Sequence, residues 1–193
     1  MLRFPLNVGF IVFESLEELD LVGPYEVLSC VNEFRKNAVN AFTVAHFSEP
    51  VRCANGLRIL PDYTFETCPP IDIMVIPGGN GRRKAMHDEE LLDFLRTRSR
   101  EAKFVTSVCT GSFILAKAGL LDGKRATTWH GALKELKRFE KILVCKERVI
   151  HDGNIVTAAG VSSGIDMALY LVNLIFGKDI ADKVAEYIEY KRY

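Results

Sequence analysis

The segment Phe104-Val-Thr-Ser-Val-Cys-Thr-Gly-Ser-Phe-Ile-Leu-Ala116 changes from strand-like to helix-like composition within a few residues. Phe104–Val108 is apolar and rich in β-branched residues, as in a buried parallel strand. Phe113–Ala118, closed by Gly119, has the composition of a short helix with a glycine C-cap. Cys109 lies at the junction, where a side chain projects above the carboxyl edge of the sheet. We therefore predict a cysteine nucleophile elbow.

Two properties of this junction favour a reactive Cys109. The beginning of a helix offers unpaired N–H groups and a partial positive charge, which stabilise a thiolate. The residues Thr110-Gly111-Ser112 add backbone N–H groups without bulk. We therefore expect a lowered pKa for the Cys109 thiol, because the thiolate is the reactive form. The alternative is a buried structural thiol, which is the commoner role of a cysteine.

Strand-like and helix-like segments alternate along the chain. Strands are predicted at Leu6–Phe13, Phe42–Phe47, Ile71–Gly79 (ending in a glycine-rich turn), Phe104–Val108 and Lys124–Thr128, with hairpins at Val51–Leu60 and Arg148–Thr157. Helices are predicted from Pro24 through Val31 and at Asp88–Arg100, Ala132–Phe139, Ser162–Phe176 and Ile180–Tyr190. This alternation predicts an α/β fold, with a doubly wound, mostly parallel sheet that carries helices on both faces. No linker or repeat interrupts it, so we expect one domain over residues 1–193.

Composition excludes several classes of protein. Basic and acidic residues both number 25, so the net charge is zero and neither a nucleic-acid partner nor an anionic membrane surface is expected. No apolar run approaches the length of a membrane span, and the N-terminus does not resemble a signal peptide. The five cysteines are scattered and never form a C-x-x-C pair. We therefore expect no disulfide framework, no metal site and a reducing cytoplasm.

Asp20 is the candidate partner of Cys109. It lies between apolar neighbours after the first strand, so we expect it in the first strand-to-helix connection, at the sheet edge that also carries Cys109. Partial burial there would raise its pKa. A protonated Asp20 could donate a hydrogen bond to the thiolate, whereas an ionised one could act as a base. An ordinary surface carboxylate is an equally good interpretation of the sequence.

Two further segments are candidates for the site. The turn Pro77–Gly81 matches no nucleotide-binding motif, but the N–H groups of Gly79 and Thr110 could together form an oxyanion hole. A plain tight turn is the alternative. His130, after Trp129, follows a predicted strand and could serve as a general base for Cys109. It could equally be a loop histidine that packs beside an aromatic ring.

Five motifs together resemble the ThiJ/PfpI superfamily and occur in the superfamily's order. They are Leu19-Asp-Leu-Val-Gly-Pro24, Val75-Ile-Pro-Gly-Gly79, Ser107-Val-Cys-Thr-Gly-Ser112, Ala126-Thr-Thr128 and Asp152-Gly-Asn-Ile-Val-Thr-Ala-Ala-Gly160. The first and third resemble the branch that contains isonitrile hydratase and the ligand-binding halves of some AraC-type regulators. The chain ends soon after its last helix, so we expect no helix-turn-helix domain.

The resemblance implies a flavodoxin-like fold, a homodimer and a small electrophilic substrate, without a cofactor. It makes Cys109 the nucleophile, Asp20 its acidic partner and Thr110 a site residue, with Gly79 and Thr110 supplying the oxyanion hole. The protease branch has a histidine directly after the nucleophile, where this chain has Thr110. The deglycase and glyoxalase branch has Glu in place of Asp20 and a histidine directly after Thr-Thr, whereas here His130 is one position later.

Isonitrile hydration through Cys109 is therefore the leading hypothesis. Two alternatives remain open. The first is a redox-sensing or ligand-binding regulator that acts through Cys109, and the second is a glyoxalase or deglycase. A regulator and an enzyme would both use the same low-pKa thiolate, so the sequence separates them poorly.

Overall fold

The computed structural model describes residues 4–191 and places a seven-stranded sheet at the centre. The strands in chain order are β1 Leu6–Ile11, β2 Val39–Ala45, β3 Val51–Arg52, β4 Arg58–Ile59, β5 Tyr63–Thr64, β6 Ile73–Ile76, β7 Phe104–Val108, β8 Arg125–Ala126, β9 Leu143–Val144, β10 Val149–Asp152 and β11 Ile155–Ala158. The large sheet has the order β10-β11-β7-β6-β1-β2-β5. Only β10 runs antiparallel to its neighbour in this sheet.

Eight helices accompany these strands in the described part of the chain. They are α1 Glu18–Ser29, α2 Val31–Phe34, α3 Arg82–Ala85, α4 Glu89–Arg98, α5 Ser112–Lys117, α6 Leu133–Leu136, α7 Ser163–Phe176 and α8 Lys178–Tyr187. Within residues 4–191, none of them combines the length and the apolar composition that a membrane crossing requires.

The helices cover both faces of the sheet. On one face, α1, α7 and α8 pack with alternate residues of β1, such as Val8 and Phe10, into one apolar core. On the other face, α4 and α5 pack over Ile11, Val44 and Met74. The predicted doubly wound, mostly parallel flavodoxin-like sheet is therefore confirmed.

The predicted start of the first helix at Pro24 is wrong. α1 begins at Glu18, so Pro24 lies inside the helix and Asp20 lies in its first turn rather than in the preceding connection. Pro24 is buried against α7, where a Cβ on Gly164 would lie 3.2 Å from the proline ring. Tertiary packing thus tolerates a proline that local helix rules would place at the first turn.

Smaller differences concern the segment after the Cys109 turn. The strand predicted at Lys124–Thr128 is reduced to β8, which pairs with β9 in a separate two-stranded sheet. The helix predicted at Ala132–Phe139 is reduced to the single turn of α6. The hairpins predicted around Asn55-Gly56 and Asp152-Gly153 are confirmed as β3–β4 and β10–β11.

The turns at the carboxyl edge approach each other more closely than side chains would allow. A Cβ on Gly78 would lie 2.5 Å from the Thr110 nitrogen, and one on Gly111 would lie 2.3 Å from the Ile76 carbonyl oxygen. The turns that follow β6 and β7 therefore interlock, backbone against backbone. This contact positions Cys109 relative to the glycine-rich turn.

Candidate active site

Cys109 occupies a strained turn at the carboxyl end of β7. It opens the 3₁₀ turn Cys109–Gly111, and its φ of 55° lies in the left-handed region that non-glycine residues rarely adopt. Its amide donates to the carbonyl oxygen of Ala159, at the end of the adjacent strand β11, over 2.7 Å. The residue is 7% exposed. Strain of this kind persists only where the surrounding structure imposes it, and it is common at functional sites.

Asp20 reaches the same turn from the first turn of α1. It is fully buried, although Leu19 and Val22 on the same helix are exposed. Its Oδ2 accepts a hydrogen bond of 2.8 Å from the Gly78 amide. Its Oδ1 is buried without a hydrogen-bond partner of regular geometry, and the Cys109 thiol is the side-chain donor that faces the carboxyl group. The structure therefore brings Asp20 and Cys109 together.

Burial raises the pKa of Asp20 from 3.8 to about 7. The Gly78 amide and the Cys109 thiol stabilise the carboxylate and oppose this rise, whereas the nearby charge of Glu17 adds to it. Asp20 is therefore divided between its acid and carboxylate forms near neutral pH. A carboxyl group tuned in this way can both deliver and accept a proton.

The expectation of a lowered pKa for Cys109 is wrong. Burial and, after it, the charge of Asp20 raise the pKa of the Cys109 thiol to about 11. The Val161 amide and the Thr110 amide and hydroxyl oppose the rise without outweighing it. The one-turn start of a short helix offers too little positive potential to compensate for desolvation and a neighbouring carboxylate. Cys109 and Asp20 therefore titrate as a coupled pair that holds a single proton between about pH 7 and about pH 11.

Thr110 and Gly79 lie beside this pair. The Gly79 amide donates to the Thr110 hydroxyl over 3.1 Å, so Thr110 already occupies the N–H group that was assigned to an oxyanion hole. The Thr110 amide and hydroxyl instead contact the Cys109 sulfur. A substrate oxygen or nitrogen could use the Gly79 N–H only after displacing the Thr110 hydroxyl.

Val161 is a site residue that the sequence analysis missed. Its amide donates to the Cys109 sulfur, and its φ of 33° is a true outlier for a β-branched residue. The relevant signal is the run of small residues Ala159-Gly160 at the end of β11. That signal has meaning only once β11 is known to lie beside β7, which the sequence does not reveal.

Arg148 holds the strained turn at Val161 from outside. Its guanidinium group donates to Asp166 on α7 over 2.5 Å and to the Ser162 hydroxyl over 3.1 Å. The Tyr190 hydroxyl donates to the same Asp166 carboxylate over 3.1 Å. Ser162 directly follows Val161, so the bonds from Arg148 hold the start of α7 next to the turn. We expect these bonds to help position the Val161 amide.

Trp129 and His130 lie at the rim and not beside the sulfur. The Trp129 ring packs on Gly160, where a Cβ would lie 2.7 Å from the indole, and it is 41% exposed. His130 is exposed, and its ring packs obliquely against Trp129 at 5.0 Å between centroids. The residue that touches the Cys109 turn from this segment is Thr128, whose hydroxyl donates to the Cys109 carbonyl oxygen over 2.9 Å.

The described residues show no group of three His, Cys, Asp or Glu side chains arranged to hold a metal ion. The same residues contain five free cysteines. The groups available for a reaction at the carboxyl edge are thus one thiol, one carboxyl group and several backbone N–H groups.

A parallel sheet with a strained cysteine at a strand-to-helix turn, faced by a buried acid from α1, defines a family of proteins. The chain belongs to the DJ-1/PfpI family, whose sequence model matches residues 7–174. It is 43% identical over 185 residues to isonitrile hydratase of Pseudomonas putida, which covers 96% of this chain and 78% of that protein.

Two further relatives are a protein of known crystal structure and a transcriptional regulator, and both are longer than this chain. A THiJ/PfpI family protein from Pseudomonas syringae has a crystal structure that superposes with a TM-score of 0.90 at 33% identity, covering 99% of this chain and 79% of that one. The transcriptional regulator GbdR of Pseudomonas aeruginosa strain UCBPP-PA14 is 27% identical over 98% of this chain. This chain spans only 52% of that regulator, about half of its length.

Replacing Asp20 by Asn tests the coupling of the pair. The substitution removes the negative charge that raises the pKa of Cys109, so the thiol should titrate at a lower pH than in the unsubstituted protein. The measurement is the pH dependence of Cys109 alkylation by iodoacetamide, followed by peptide mass spectrometry. Glu17→Gln is the matched control, since Glu17 is not among the groups that shift Cys109. An unchanged or higher thiol pKa in Asp20→Asn would contradict the contact.

Replacing Arg148 by Gln tests the positioning of Val161. Loss of the ties to Asp166 and Ser162 should loosen the Val161 amide and raise the pKa of Cys109 further. Alkylation at a fixed mildly alkaline pH should then slow by roughly two- to tenfold, the range for one weakened hydrogen bond to a charged group.

Arg125→Gln is the control for this substitution, because Arg125 is similarly exposed and pairs with Glu147 away from the turn. Equal alkylation profiles for the two variants would show that Arg148 does not act on Cys109.

Proposed function

We propose that this protein is a cysteine-dependent enzyme that adds water to isonitriles and releases N-substituted formamides. The observation that carries the proposal is the buried contact between Cys109 and Asp20, a pair that holds a single proton above about pH 7. The relative from Pseudomonas putida, which bears the name of this activity, supports the choice of reaction.

The first step uses the pair with its proton on Asp20. The Cys109 thiolate attacks the terminal carbon of the isonitrile and forms a carbon–sulfur bond. The proton of the Asp20 carboxylic acid moves to the same carbon, which leaves a thioimidate on Cys109 and a carboxylate on Asp20. The amides of Thr110 and Val161 stabilise the charge on sulfur before the attack.

The second step consumes water. The Asp20 carboxylate takes a proton from a water molecule while the oxygen of that water adds to the thioimidate carbon. Asp20 then passes the proton to the thioimidate nitrogen. The hydroxyl proton of the resulting tetrahedral adduct then returns to Asp20 as the carbon–sulfur bond breaks. The formamide leaves, the thiolate is restored, and one molecule of water has been added.

A carboxyl group suits this reaction better than a histidine base does. The same group must first act as an acid and then as a base, so it needs a pKa near the working pH. Burial supplies that pKa at Asp20. His130, which a glyoxalase or deglycase mechanism would use, is exposed beside Trp129.

A regulatory protein that senses ligands or oxidants through Cys109 is the second candidate. The similarity to GbdR over nearly the whole of this chain favours it. Mass spectrometry after mild peroxide treatment separates the two functions. Stable oxidation of Cys109 without turnover of any isonitrile supports the sensor.

Hydration of an alkyl isonitrile should give a formamide with the unsubstituted protein and none with Cys109→Ala. The value of kcat/KM should rise as the pH increases through about 7, where Asp20 loses its proton, and fall towards about 11, where the pair loses its second proton. Asp20→Asn should lose the acidic limb together with at least about a hundredfold in rate, the usual contribution of a general acid or base. Formamide is quantified by mass spectrometry across the pH range.

Glu101→Gln serves as the control, since it removes an exposed carboxylate that is not among the groups that shift the pKa of Asp20 or of Cys109. A rate that ignores pH around 7, or equal turnover by Cys109→Ala, would contradict the mechanism.

We further propose that the protein forms a homodimer through the outer face of α1. This helix exposes Leu19 and Val22, and Glu18 holds the adjoining β3–β4 hairpin through Asn55. The hairpin exposes Leu57 beside it. Leu19→Glu together with Val22→Glu should convert a dimer into a monomer in sedimentation or light-scattering measurements. A monomeric unsubstituted protein, or a dimer that persists in the double variant, would oppose this interface.

The free thiols suit a reducing compartment such as the cytoplasm.

A further inference from the structure

A column of four aromatic rings runs from the core to the surface beyond the carboxyl ends of β1 and β2. Phe94 is buried, Phe65 stacks on it at 4.4 Å, His46 stacks on Phe65 at 5.4 Å, and Phe47 stacks on His46 at 3.9 Å between centroids. Phe47, the outermost ring, is 64% exposed. The mechanism proposed above does not use any of these rings.

The column stands between two adjoining clefts. Both are lined by His46, Phe47, Phe65 and Glu49, and their volumes are about 460 and 510 Å³. Each volume is typical of a site for a small organic molecule. Neither cleft is lined by Cys109, so they are distinct from the candidate active site.

The charges around the clefts are strongly unbalanced. The carboxylates that line the two clefts are Glu14, Glu49, Glu66, Asp88, Glu90 and Asp93, against a single ammonium group, that of Lys84. The whole chain has a net charge of zero, so this corner departs from the average.

Some of these carboxylates have partners and some do not. Glu90 contacts His46, Asp93 pairs with Arg96, and Asp88 caps α4. Glu49 and Glu66 form no ion pair with any residue in the range 4–191. Two exposed acids beside an exposed aromatic ring, that of Phe47, are the combination that attracts an organic cation.

We propose that the two clefts form a second ligand site, which binds a small organic ammonium ion with an aromatic or apolar body. The apolar body lies against Phe47 and the lining of Val12, Ala45 and Leu91. The ammonium group lies between Glu49 and Glu66. A carboxylate ligand is disfavoured by the surrounding negative charge, and a neutral ligand gains only the apolar contact.

The first cleft shares a wall with the support of the active site. Glu14 and Gly81 line it, and the Gly81 amide donates to the Ser15 carbonyl oxygen over 2.9 Å. Two residues further along, the Glu17 amide donates to the Gly78 carbonyl oxygen over 2.9 Å. The cleft thus adjoins the glycine-rich turn through Gly81, whereas Asp20 and Cys109 do not line it.

The test compares three ligands with one phenyl group and different heads: 2-phenylethylamine, 2-phenylethanol and 3-phenylpropionate. Each is titrated into the isotope-labelled full chain and followed by amide chemical shifts at neutral pH. The amine should shift the amides of residues 45–49, 64–66 and 84–91, the alcohol should do so more weakly, and the carboxylate should not. Added salt should weaken the binding of the amine, because salt partly screens the attraction between its charge and the carboxylates.

Substitutions locate the site. The double variant Glu49→Gln with Glu66→Gln should lower the affinity for the amine by roughly three- to tenfold, as expected for exposed ion pairs. Phe47→Ala should lower it by roughly two- to fivefold, as expected for a cation–π contact. Glu101→Gln with Glu140→Gln is the matched control, since it makes the same charge change at exposed residues elsewhere. These side chains are exposed, so the melting temperatures of the variants should not change. If Phe47→Ala fails to fold, the double glutamine variant and the salt dependence still test whether the amine binds in the clefts.

Four outcomes would overturn the proposal. They are equal binding of the carboxylate and the amine, shifts confined to the Cys109 turn, an affinity unchanged in the glutamine variant, and cleft amides that respond only to protein concentration. The last outcome would mean that a second copy of the chain covers this surface.

Discussion

A carboxyl group buried against a thiol is the interaction on which the arrangement of the site depends. Asp20 is held in place by the Gly78 amide, and its free oxygen faces Cys109. The raised pKa of Asp20 means that the folded chain keeps a proton that the unfolded chain loses above about pH 4. The folded state therefore loses stability as the pH rises from about 4 to about 7, by up to about 4 kcal/mol. The fold must supply this stability elsewhere.

The rest of the carboxyl edge fixes this contact in place. Gly78 and Gly111 let the turns after β6 and β7 meet backbone to backbone, so Cys109 cannot relax from its left-handed conformation without separating them. Val161 is strained in the same way, and Arg148 bonds the next residue, Ser162, together with Asp166 on α7. Donors from the turns after β7 and β11 and the carboxyl group of Asp20 from α1 thus converge on one sulfur atom. Such rigidity lets weak donors act on the thiol without any reorganisation during the reaction.

The coupling of Asp20 and Cys109 changes the usual view of a reactive cysteine. A permanently ionised thiolate is not required, because the pair needs only to exchange one proton with its substrate. Membership of the DJ-1/PfpI family is compatible with enzymes and with regulators. A proton-sharing pair serves an addition of water, whereas a sensor needs only an accessible sulfur.

The sequence by itself determined the alternation of strands and helices, the turn at Cys109 and the presence of an acid at Asp20. These features depend on local composition and on hydrophobic periodicity, which act over a few neighbouring residues. Even so, local rules misplaced the start of α1, because the packing of Pro24 on Gly164 is a contact between segments far apart in the chain.

Only the tertiary structure decided which groups surround the sulfur and how they titrate. The Val161 amide reaches Cys109 because β11 lies beside β7, and strand order is a property of the whole chain. The pKa of Cys109 rises because burial removes water from the thiol and places Asp20 against it. Desolvation and Coulomb interactions depend on distance in space and not on separation in sequence, so the motif at Cys109 could not give the sign of its pKa shift, although the apolar neighbours of Asp20 did indicate the rise there.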